Sequence, residues 1–356
     1  MKKLLLILAV SATTAVSAQT TQKLTASKIN EYGLIYNLPV TAVDVTVEAE
    51  RTVKTPGEFR LYSKKYLNIA PIMEPAEEWT VKSLQMNTRG IADQSEGYLV
   101  QFKSGNTTFM MLDDNGCVLS VNDENVAEPI KPTIPAEIAM QPSILQTPVA
   151  AQAVTQDMLQ ATSTAKKAQL AAAKIYELRQ SRNDIISGNA DQMPSDGEAM
   201  KIALENLEKQ EAALTAMFTG TVQKSTSVRT YTVVPDSAAT SKIVARVSVT
   251  EGPVENDDLS GMPIYLNITV NSRGELPKNE KGETKKYPKG GLAYCVPGEA
   301  TFTAVMNGKT LAKLTAEVAQ YGIVFGLEPS IFTDKKAPAY AIFDPATGAI
   351  RELGTK

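Results

Sequence analysis

Few side chains in this sequence could carry out chemistry, and the residue type most used for proton transfer near neutral pH is missing. The 356 residues include no histidine and only two cysteines, Cys117 and Cys295. Ser-His-Asp and Cys-His catalysis, histidine-ligated zinc and haem on a proximal histidine all require an imidazole ring. The sequence therefore excludes all four kinds of site.

A serine and a lysine stand at the spacing by which penicillin-recognising enzymes activate a serine nucleophile. The two residues are Ser163 and Lys166. The same enzymes carry S-D-N and K-T-G motifs, neither of which occurs in this sequence. We expect Ser163 and Lys166 to lie inside an alanine-rich helix and to have no catalytic role.

Paired carboxylates can hydrolyse glycosidic bonds without histidine. Adjacent acidic residues of this kind are Glu77 and Glu78, Asp113 and Asp114, and Asp257 and Asp258. Trp79 gives the first pair an aromatic neighbour, and residues 255–258 lack the spacing of a calcium loop. We therefore expect solvated acidic turns, no metal ion and no cofactor. A carboxylate-dependent glycan hydrolase is kept as the alternative function.

The first eighteen residues are typical of a secretory signal peptide. Lys2 and Lys3 precede an apolar run over residues 4–10, and small residues lead to a predicted cleavage after Ala18. Because Gln19 follows, no cysteine can carry a lipid anchor there. The apolar run is too short to span a bilayer, and no other segment is long and apolar enough. We expect an exported protein in the periplasm or associated with the outer membrane.

The charge balance and the cysteines add two expectations. The chain has 36 basic and 39 acidic residues, so a nucleic-acid partner is not expected. An exported compartment permits a disulfide between Cys117 and Cys295. The sequence does not show whether these residues meet, and two buried free thiols are the other interpretation.

Two regions have the composition and alternation of β-strands. They predict an N-terminal β-rich domain over residues 19–126 and a C-terminal β-rich domain over residues 221–356. Val43, Val45 and Val47 alternate with polar residues, which predicts a strand with one face in solvent. Asn-Gly pairs at 115–116 and 307–308 predict hairpin turns, because both residue types tolerate positive φ.

The region between these parts is predicted to be a Pro-rich connector followed by two helices. Prolines interrupt every possible helix over residues 127–150, whereas residues 151–220 consist mainly of helix-forming residues. The first helix is predicted over residues 155–186, before Gly188. The second is predicted to begin at Ser195, where Glu198 completes a capping box. A short connection between two helices predicts antiparallel packing.

The predicted fold class is therefore α+β: two antiparallel β-rich parts linked by a Pro-rich strap and a long antiparallel helical hairpin. The two β-rich parts are expected to be neighbours, because the hairpin returns the chain to its starting end. Residues 33–39 and 291–297 share the pattern Gly-Leu-x-Tyr-x-x-Pro. This echo indicates either matching strands of two related parts or a chance similarity.

The tip of the helical hairpin carries the candidate binding residues. If the hairpin turns near residue 191, Arg179 falls opposite Glu205, and we favour a structural ion pair there. The alternative is a tip that binds a partner. The candidate residues for that role are Arg182, Asp191, Gln192 and Asp196.

Several short segments, in this order, carry a family resemblance. They include Gly-Leu-Ile-Tyr-Asn-Leu-Pro at 33–39, Asp-Gln-Met-Pro-Ser-Asp-Gly-Glu at 191–198, Gly-Leu-Ala-Tyr-Cys-Val-Pro at 291–297 and Asp-Pro-Ala-Thr-Gly at 344–348. The chain resembles an uncharacterised family of exported Bacteroidetes proteins, the domain-of-unknown-function 4831 family. The resemblance implies export and an envelope setting, and it assigns no activity or catalytic residue.

These observations together favour a non-enzymatic exported protein of the cell envelope. A projecting helical hairpin suits contact with a partner. The expected partner is another envelope protein or a surface polymer, and the mature chain is expected to have no transmembrane segment.

Overall fold

A computed structural model describes residues 20–23, 33–101, 108–129, 131–236, 241–334 and 336–355. The predicted signal peptide, residues 1–18, lies outside these ranges. Within them the chain is β-rich, with three antiparallel sheets and a smaller helical part. The antiparallel, β-rich character predicted from the sequence is confirmed.

Strands from both predicted β-rich domains pair with each other. The described strands are β1 (Thr20–Lys23), β2 (Leu34–Thr55), β3 (Ala76–Gln101), β4 (Met110–Leu112), β5 (Val118–Val121), β6 (Thr221–Val233), β7 (Lys242–Ser248), β8 (Gly252–Val254), β9 (Gly261–Ser272), β10 (Leu292–Met306), β11 (Lys309–Leu327), β12 (Ala339–Phe343) and β13 (Ile350–Thr355). The strand order is β1-β3-β2-β6 in the first sheet, β11-β10-β9-β7-β8 in the second and β13-β12-β5-β4 in the third. The first and third sheets therefore each combine strands from both predicted β-rich regions.

The main core lies between the first and second sheets. Val43, Val45 and Val47 of β2 belong to one buried cluster with Ile264 of β9 and Phe302 of β10. Because successive side chains of a strand point to opposite faces, the three valines form a stripe on one face of β2.

The other face of β2 is polar but not in solvent, which corrects the expected wet face. Asp44 and Glu48 are both less than a tenth exposed. Arg89 Nε donates to Asp44 Oδ2 at 2.7 Å, Thr232 Oγ1 donates to Asp44 Oδ1 at 2.6 Å, and Lys82 Nζ donates to Glu48 Oε1 at 2.8 Å. These bonds form because β2 lies between β3 and β6, whose long polar side chains extend over it.

Both predicted hairpin turns are present. Asn307 and Gly308 join β10 to β11 with φ values of 50° and 74°. The pair β4–β5 turns over residues 113–116, with Gly116 at φ 80°. Positive φ at these positions matches the turn residues that the sequence supplies.

The helical part contains five α-helices in the described ranges. They are α1 (Ser63–Leu67), α2 (Pro148–Ala153), α3 (Gln156–Gln160), α4 (Thr164–Ser187) and α5 (Gly197–Thr219). The first long helix begins at Thr164, later than the predicted residue 155. Ala161 and Ser163 are extended, and they separate the short α3 from α4. Gly188 ends α4 in the left-handed conformation, as predicted.

The second long helix was predicted to be capped by Ser195. In the structure its N-cap residue is Asp196. Asp196 Oδ1 accepts a hydrogen bond from the Ala199 N–H at 2.7 Å. A carboxylate at this position also interacts favourably with the positive end of the helix dipole, which a serine hydroxyl does less well.

Helices α4 and α5 pack against each other, and we call them the helix pair. Ile175 of α4 shares a buried cluster with Leu214 and Phe218 of α5 and with Phe59, which follows β2. The Phe59 N–H donates to Met217 O at 2.7 Å. This cluster holds the helix pair against the C-terminal end of β2, at Thr55.

The outer edge of β6 is covered by residues 137–141, which have no regular secondary structure. The Ile138 N–H donates to Thr226 Oγ1 at 2.8 Å, and the Thr226 N–H donates to Ile138 O at 2.9 Å. Glu137 Oε1 accepts from the Val228 N–H at 2.8 Å. Such a cover prevents the edge strand from pairing with another chain.

The segments 33–39 and 291–297 begin equivalent long strands, β2 and β10. Each of these strands pairs with the strand that follows it, and each pairing is interrupted in the same way. Leu38 lies opposite residues 93–96 of β3, and Pro297 lies opposite residues 319–322 of β11. In both pairings one residue of the first strand lies opposite four residues of the second strand. This shared irregularity indicates a repeated unit and not a chance similarity.

The repeat extends to the short hairpins that follow. The Asn37 N–H donates to Gly116 O at 2.9 Å, and the Cys295 N–H donates to Gly348 O at 3.0 Å. Gly116 turns β4 into β5, and Gly348 turns β12 into β13, both at positive φ. Strands β5 and β12 then pair at the centre of the third sheet. Each half of the chain thus contributes a long hairpin followed by a short one.

Candidate functional site

The connected end of the helix pair exposes large apolar side chains. Ile186 is 66% exposed, Met193 is 43% exposed and Ile202 is 52% exposed. Ile186 lies at the end of α4, Met193 lies in the connection, and Ile202 lies in the second turn of α5. We call residues 183–202 the helix-pair tip.

The tip is acidic as well as apolar. Its acidic residues are Asp184, Asp191, Asp196 and Glu198, and its single basic residue is Lys201. Exposed charges of one sign add up to a local field that attracts a surface of the opposite sign. The tip therefore combines apolar contact area with an acidic rim.

The four candidate tip residues fall into different settings. Asp191 and Gln192 are exposed in the connection between the helices. Asp196 uses its carboxylate to cap α5. Arg182 lies further along α4, where its guanidinium bonds to Glu211 at 2.9 Å. The structure therefore brings Asp191 and Gln192 to the surface of the tip and assigns Asp196 and Arg182 structural bonds.

The sequence had predicted an ion pair between Arg179 and Glu205. In the structure Arg179 pairs with Glu211 instead. The distance from Arg179 Nε to Glu211 Oε1 is 2.6 Å. Glu205 instead lies 3.6 Å from Lys209 on its own helix. Helical side chains lean toward the N-terminus of their helix, so a long arginine on α4 meets residues of α5 further from the connection than spacing alone predicts.

An open cleft of about 400 Å³ lies between the two helices, beside these ion pairs. Arg179, Arg182 and Glu211 line it together with Thr215 and Ala216. A guanidinium group has five N–H donors, and each arginine uses one of them on Glu211. The remaining donors can bind a carboxylate or a carbonyl group of a docked chain.

The sequence placed Ser163 and Lys166 inside a helix. In the structure Ser163 is the N-cap residue of α4, and Lys166 lies in the first turn of that helix. Ser163 Oγ accepts a hydrogen bond from the Lys166 backbone N–H at 3.2 Å. The Lys166 amine lies 3.4 Å from Gln169 Oε1. Because the hydroxyl serves as a helix cap and the amine bonds elsewhere, the pair does not form an activated nucleophile.

The acidic pair beside Trp79 is engaged in exposed ion pairs. Arg51 Nε lies 2.7 Å from Glu77 Oε1, and Lys54 Nζ lies 3.1 Å from Glu78 Oε1. The Arg51 hydrogen bond holds the pKa of the Glu77 carboxyl below its usual value. A carboxylate that stays ionised in this way is unsuited to act as a general acid near neutral pH.

Trp79, Asp113 and Asp258 also have structural partners. The Trp79 ring has Arg51 over it at 6.0 Å and Gly252 packed against it, so it offers no open platform for a sugar. Asp113 Oδ1 accepts the N–H of Cys117 in the β4–β5 turn. Asp258 Oδ1 accepts the N–H of Ser260.

In the part of the chain that the structure describes, no group of three or more acidic or cysteine side chains is placed to hold a metal ion. The described helices also include none with the length and apolar character needed to cross a membrane.

Cys117 and Cys295 are both buried and free. Burial raises the pKa of each thiol to about 12. The two thiols therefore stay protonated near neutral pH, and the structure contains them as small buried side chains and not as a disulfide.

Sequence reasoning missed Glu211 and the three exposed apolar residues of the tip. Glu211 could not be distinguished from other acidic residues of α5, because its partner depends on how far the arginine side chains reach. The apolar residues did leave a signal, since Ile186 and Met193 stand among polar residues near the connection.

The comparisons with known proteins give one match. Residues 32–351, nearly the whole chain, match the model of a family described as Domain of unknown function (DUF4831). This match confirms the resemblance noted from the short segments. No curated protein and no solved structure is significantly similar to the chain.

Proposed function

Starting from the fact that this chain belongs to the DUF4831 family, a domain of unknown function, we propose that it is an exported, non-enzymatic protein that binds another protein of the cell envelope. The helix-pair tip is the binding surface. The observation that carries this proposal is the exposure of Ile186, Met193 and Ile202 inside an acidic segment.

The tip is more than a solvated turn. Three large apolar side chains lie in this one short segment, and each forgoes part of the about 1.5–3 kcal/mol that full burial of such a side chain gives. A partner that covers them recovers part of this free energy. Apolar side chains surrounded by polar ones are the arrangement found at protein–protein interfaces.

The negative charge of the tip favours one class of partner. Four acidic residues against one lysine favour a protein with an apolar patch and a basic rim. A neutral polymer would gain nothing from this charge. The arginines of the adjoining cleft offer donors to a carboxylate or carbonyl group of the same partner.

Export rests on the first eighteen residues of the sequence. The protein recovered from fractionated producing cells should have the mass of residues 19–356 and should leave the cytoplasm. A protein that retains residues 1–18 and stays in the cytoplasmic fraction would contradict the proposed envelope location.

Site-specific photo-cross-linking in producing cells tests the binding surface. A photoreactive residue at Met193 should yield a recurrent cross-linked envelope protein, and a high-salt wash before illumination should reduce the yield because the contact includes exposed charges. The control position is Leu259, which is 83% exposed on a loop of the β part. The same products at both positions, or none at Met193, would argue against the tip.

A further inference from the structure

The connection between β9 and β10 is an exposed basic loop. Residues 273–289 contain six basic and three acidic residues, a net charge of +3, and we call them the basic loop. Its ion pair is that of Lys278 with Glu275, at 3.4 Å. Four other lysines of the loop are exposed and form no ion pair with any residue that the structure describes. These are Lys281, Lys285, Lys286 and Lys289.

Backbone hydrogen bonds give the basic loop a defined shape. The Asn279 N–H donates to Glu283 O at 2.8 Å, and the Lys285 N–H donates to Pro277 O at 2.8 Å. The Gly282 N–H closes the turn by donating to Asn279 O at 2.9 Å. The loop is therefore a small hairpin that presents its lysines in a fixed arrangement.

Two large apolar side chains are exposed at the base of this hairpin. Leu276 is 44% exposed on one flank, and Tyr287 is 47% exposed on the other. The Tyr287 ring packs edge-on against Phe325 of β11, with ring centroids 5.8 Å apart. The basic loop thus combines an anchored apolar patch with a basic rim, which is the class of surface that the helix-pair tip favours.

The tip and the basic loop are complementary in charge and in character. Residues 183–202 contain four acidic residues and one lysine, a net charge of −3, against +3 for the loop. The exposed apolar residues are Ile186, Met193 and Ile202 on the tip, and Leu276 and Tyr287 on the loop. Apolar contact inside a rim of opposite charges is the arrangement that gives protein–protein contacts their affinity and their specificity.

Within one copy of the chain these two surfaces lie at opposite ends of β2. Gly290, directly after the basic loop, accepts the Thr21 N–H at 3.0 Å, and both Thr21 and Leu34 pair with Val100. Leu34 begins β2, whereas the helix pair lies at Thr55, which is roughly 70 Å away along a strand at about 3.3 Å per residue. Helix α4 has 24 residues and spans only about 36 Å. The tip therefore reaches a basic loop only on another copy.

We propose that the basic loop of one copy of this chain binds the helix-pair tip of a second copy. The inference rests on the proposed role of the tip as a protein-binding surface, and it names a second copy as an occupant of that surface. The contact joins two different surfaces, so it links copies into an open chain or a closed ring, of which two antiparallel copies are the smallest.

The composition of the basic loop favours a protein over an anionic lipid surface. The outermost residues, 279–284, are Asn, Glu, Lys, Gly, Glu and Thr, so no apolar side chain stands there to enter a bilayer. Leu276 and Tyr287 lie behind them, at the base of the hairpin. A shaped partner such as the tip is able to reach this base, whereas a flat membrane surface meets the polar turn first.

The first test is sedimentation velocity of the purified intact protein over a range of concentrations, at low and at high ionic strength. We expect a mass above that of the monomer that rises with concentration, and a return toward the monomer at high ionic strength, because the contact includes exposed charges. A monomer at every concentration and ionic strength would overturn the proposal.

Charge reversal on either surface tests which residues make the contact. The loop variant combines Lys281→Glu, Lys285→Glu and Lys286→Glu, and the tip variant combines Asp191→Lys and Glu198→Lys. Each variant alone should self-associate at least about tenfold more weakly, because like charges then face each other. An equimolar mixture of the two variants should associate again, since the acidic loop of one meets the basic tip of the other.

The control variant makes the same change of charge on exposed lysines elsewhere in the chain. It combines Lys131→Glu, Lys309→Glu and Lys313→Glu. It should self-associate as the natural chain does, and all variants should keep their melting temperature within a few degrees. Equal weakening by the control, or a mixture of loop and tip variants that stays monomeric, would refute the contact between loop and tip.

Two further outcomes separate this inference from the proposed function. A purified protein that stays monomeric, while a photoreactive residue at Met193 still captures a different envelope protein, would refute self-association and leave the proposed function in place. Flotation with vesicles that contain phosphatidylglycerol tests the lipid alternative. Vesicle binding that is lost in the loop variant, by a protein that is monomeric in solution, would assign the basic loop to a lipid surface and overturn the proposal.

Discussion

At the scale of single residues, the groups with unusual surroundings are structural. Tyr36 is fully buried, its hydroxyl accepts the Ala293 N–H at 2.8 Å, and burial raises its pKa well above the usual value. Glu48 and the two cysteines are likewise held by packing and local bonds. Glu48 joins β2 to β3 through Lys82 and Ser83, and the consequences of its bonds and of the thiol burial are measurable as pH dependence.

The cysteine thiols should resist alkylation in the native protein. Only the thiolate reacts, and burial raises the pKa of Cys117 and Cys295 to about 12. Iodoacetamide at about pH 8 should therefore add no mass to the folded chain and two adducts after denaturation without reductant. A reduced count of adducts after denaturation would reveal a disulfide, and rapid labelling of the native protein would contradict the burial of the thiols.

Glu48 should stabilise the fold in a pH-dependent way. Hydrogen bonds from Lys82 and Ser83 hold the pKa of its carboxyl below the usual value. A lowered folded-state pKa gives stability that is present above the unfolded pKa of about 4.3 and lost as the pH falls through the folded value. Glu48→Gln should therefore lower the free energy of unfolding by about 1 kcal/mol at neutral pH.

The measurement for Glu48 is urea unfolding of both proteins at neutral and at acidic pH. The difference between them should shrink well below about pH 4. Glu280→Gln, on an exposed loop, is the matched control and should show little difference at either pH. A Glu48 effect that is equally large at both pH values would refute the electrostatic explanation.

How far the sequence predicts such residues depends on whether their partners are local. The strand around Val45, the Asn307-Gly308 turn and the end of α4 at Gly188 follow from local pattern and were predicted. The burial of Asp44 and the pairing of Arg179 with Glu211 depend on neighbouring strands or helices.

At the scale of elements, Gly90 of β3 is the point where the turn between β12 and β13 meets the first sheet. A Cβ atom at Gly90 would lie 2.0 Å from Pro345 O and 3.1 Å from Pro39 Cβ. Thr41 Oγ1, in the residue that pairs with Gly90, donates to Ala346 O at 2.9 Å. The turn therefore packs directly on the backbone of β3.

Substitution of two glycines by alanine should have opposite effects. Gly90→Ala forces the Pro345 turn away from β3 and should destabilise the protein by about 2 kcal/mol or more. Gly197→Ala lies in the first turn of α5 with no atom within 4 Å of the added Cβ, and it should stabilise by about 0.5–1 kcal/mol. Urea unfolding measures both. A neutral Gly90→Ala would contradict the close packing of the turn.

At the scale of the whole molecule, the chain contains a repeated β unit, and β1, the helical part and strands β6 to β9 lie outside that repeat. The two short hairpins share the third sheet, and both large buried clusters of the β part combine residues of the two halves, so neither half has a core of its own. Strand β1 lies at one end of β2 and the helix pair lies at the other. The proposed binding surface is on the helix pair and therefore outside the repeated unit.

The central claim is that the helix-pair tip binds a partner protein, and the most direct test is the dissociation constant of the partner identified by cross-linking at Met193. The double variant Ile186→Ser with Met193→Ser should weaken binding at least about tenfold, since it removes two apolar contacts of about 1 kcal/mol each. The control Val249→Ser with Leu259→Ser removes apolar residues that are about as exposed or more exposed, from loops of the β part, and should bind as the natural chain does. Equal affinity of all three proteins would contradict the claim.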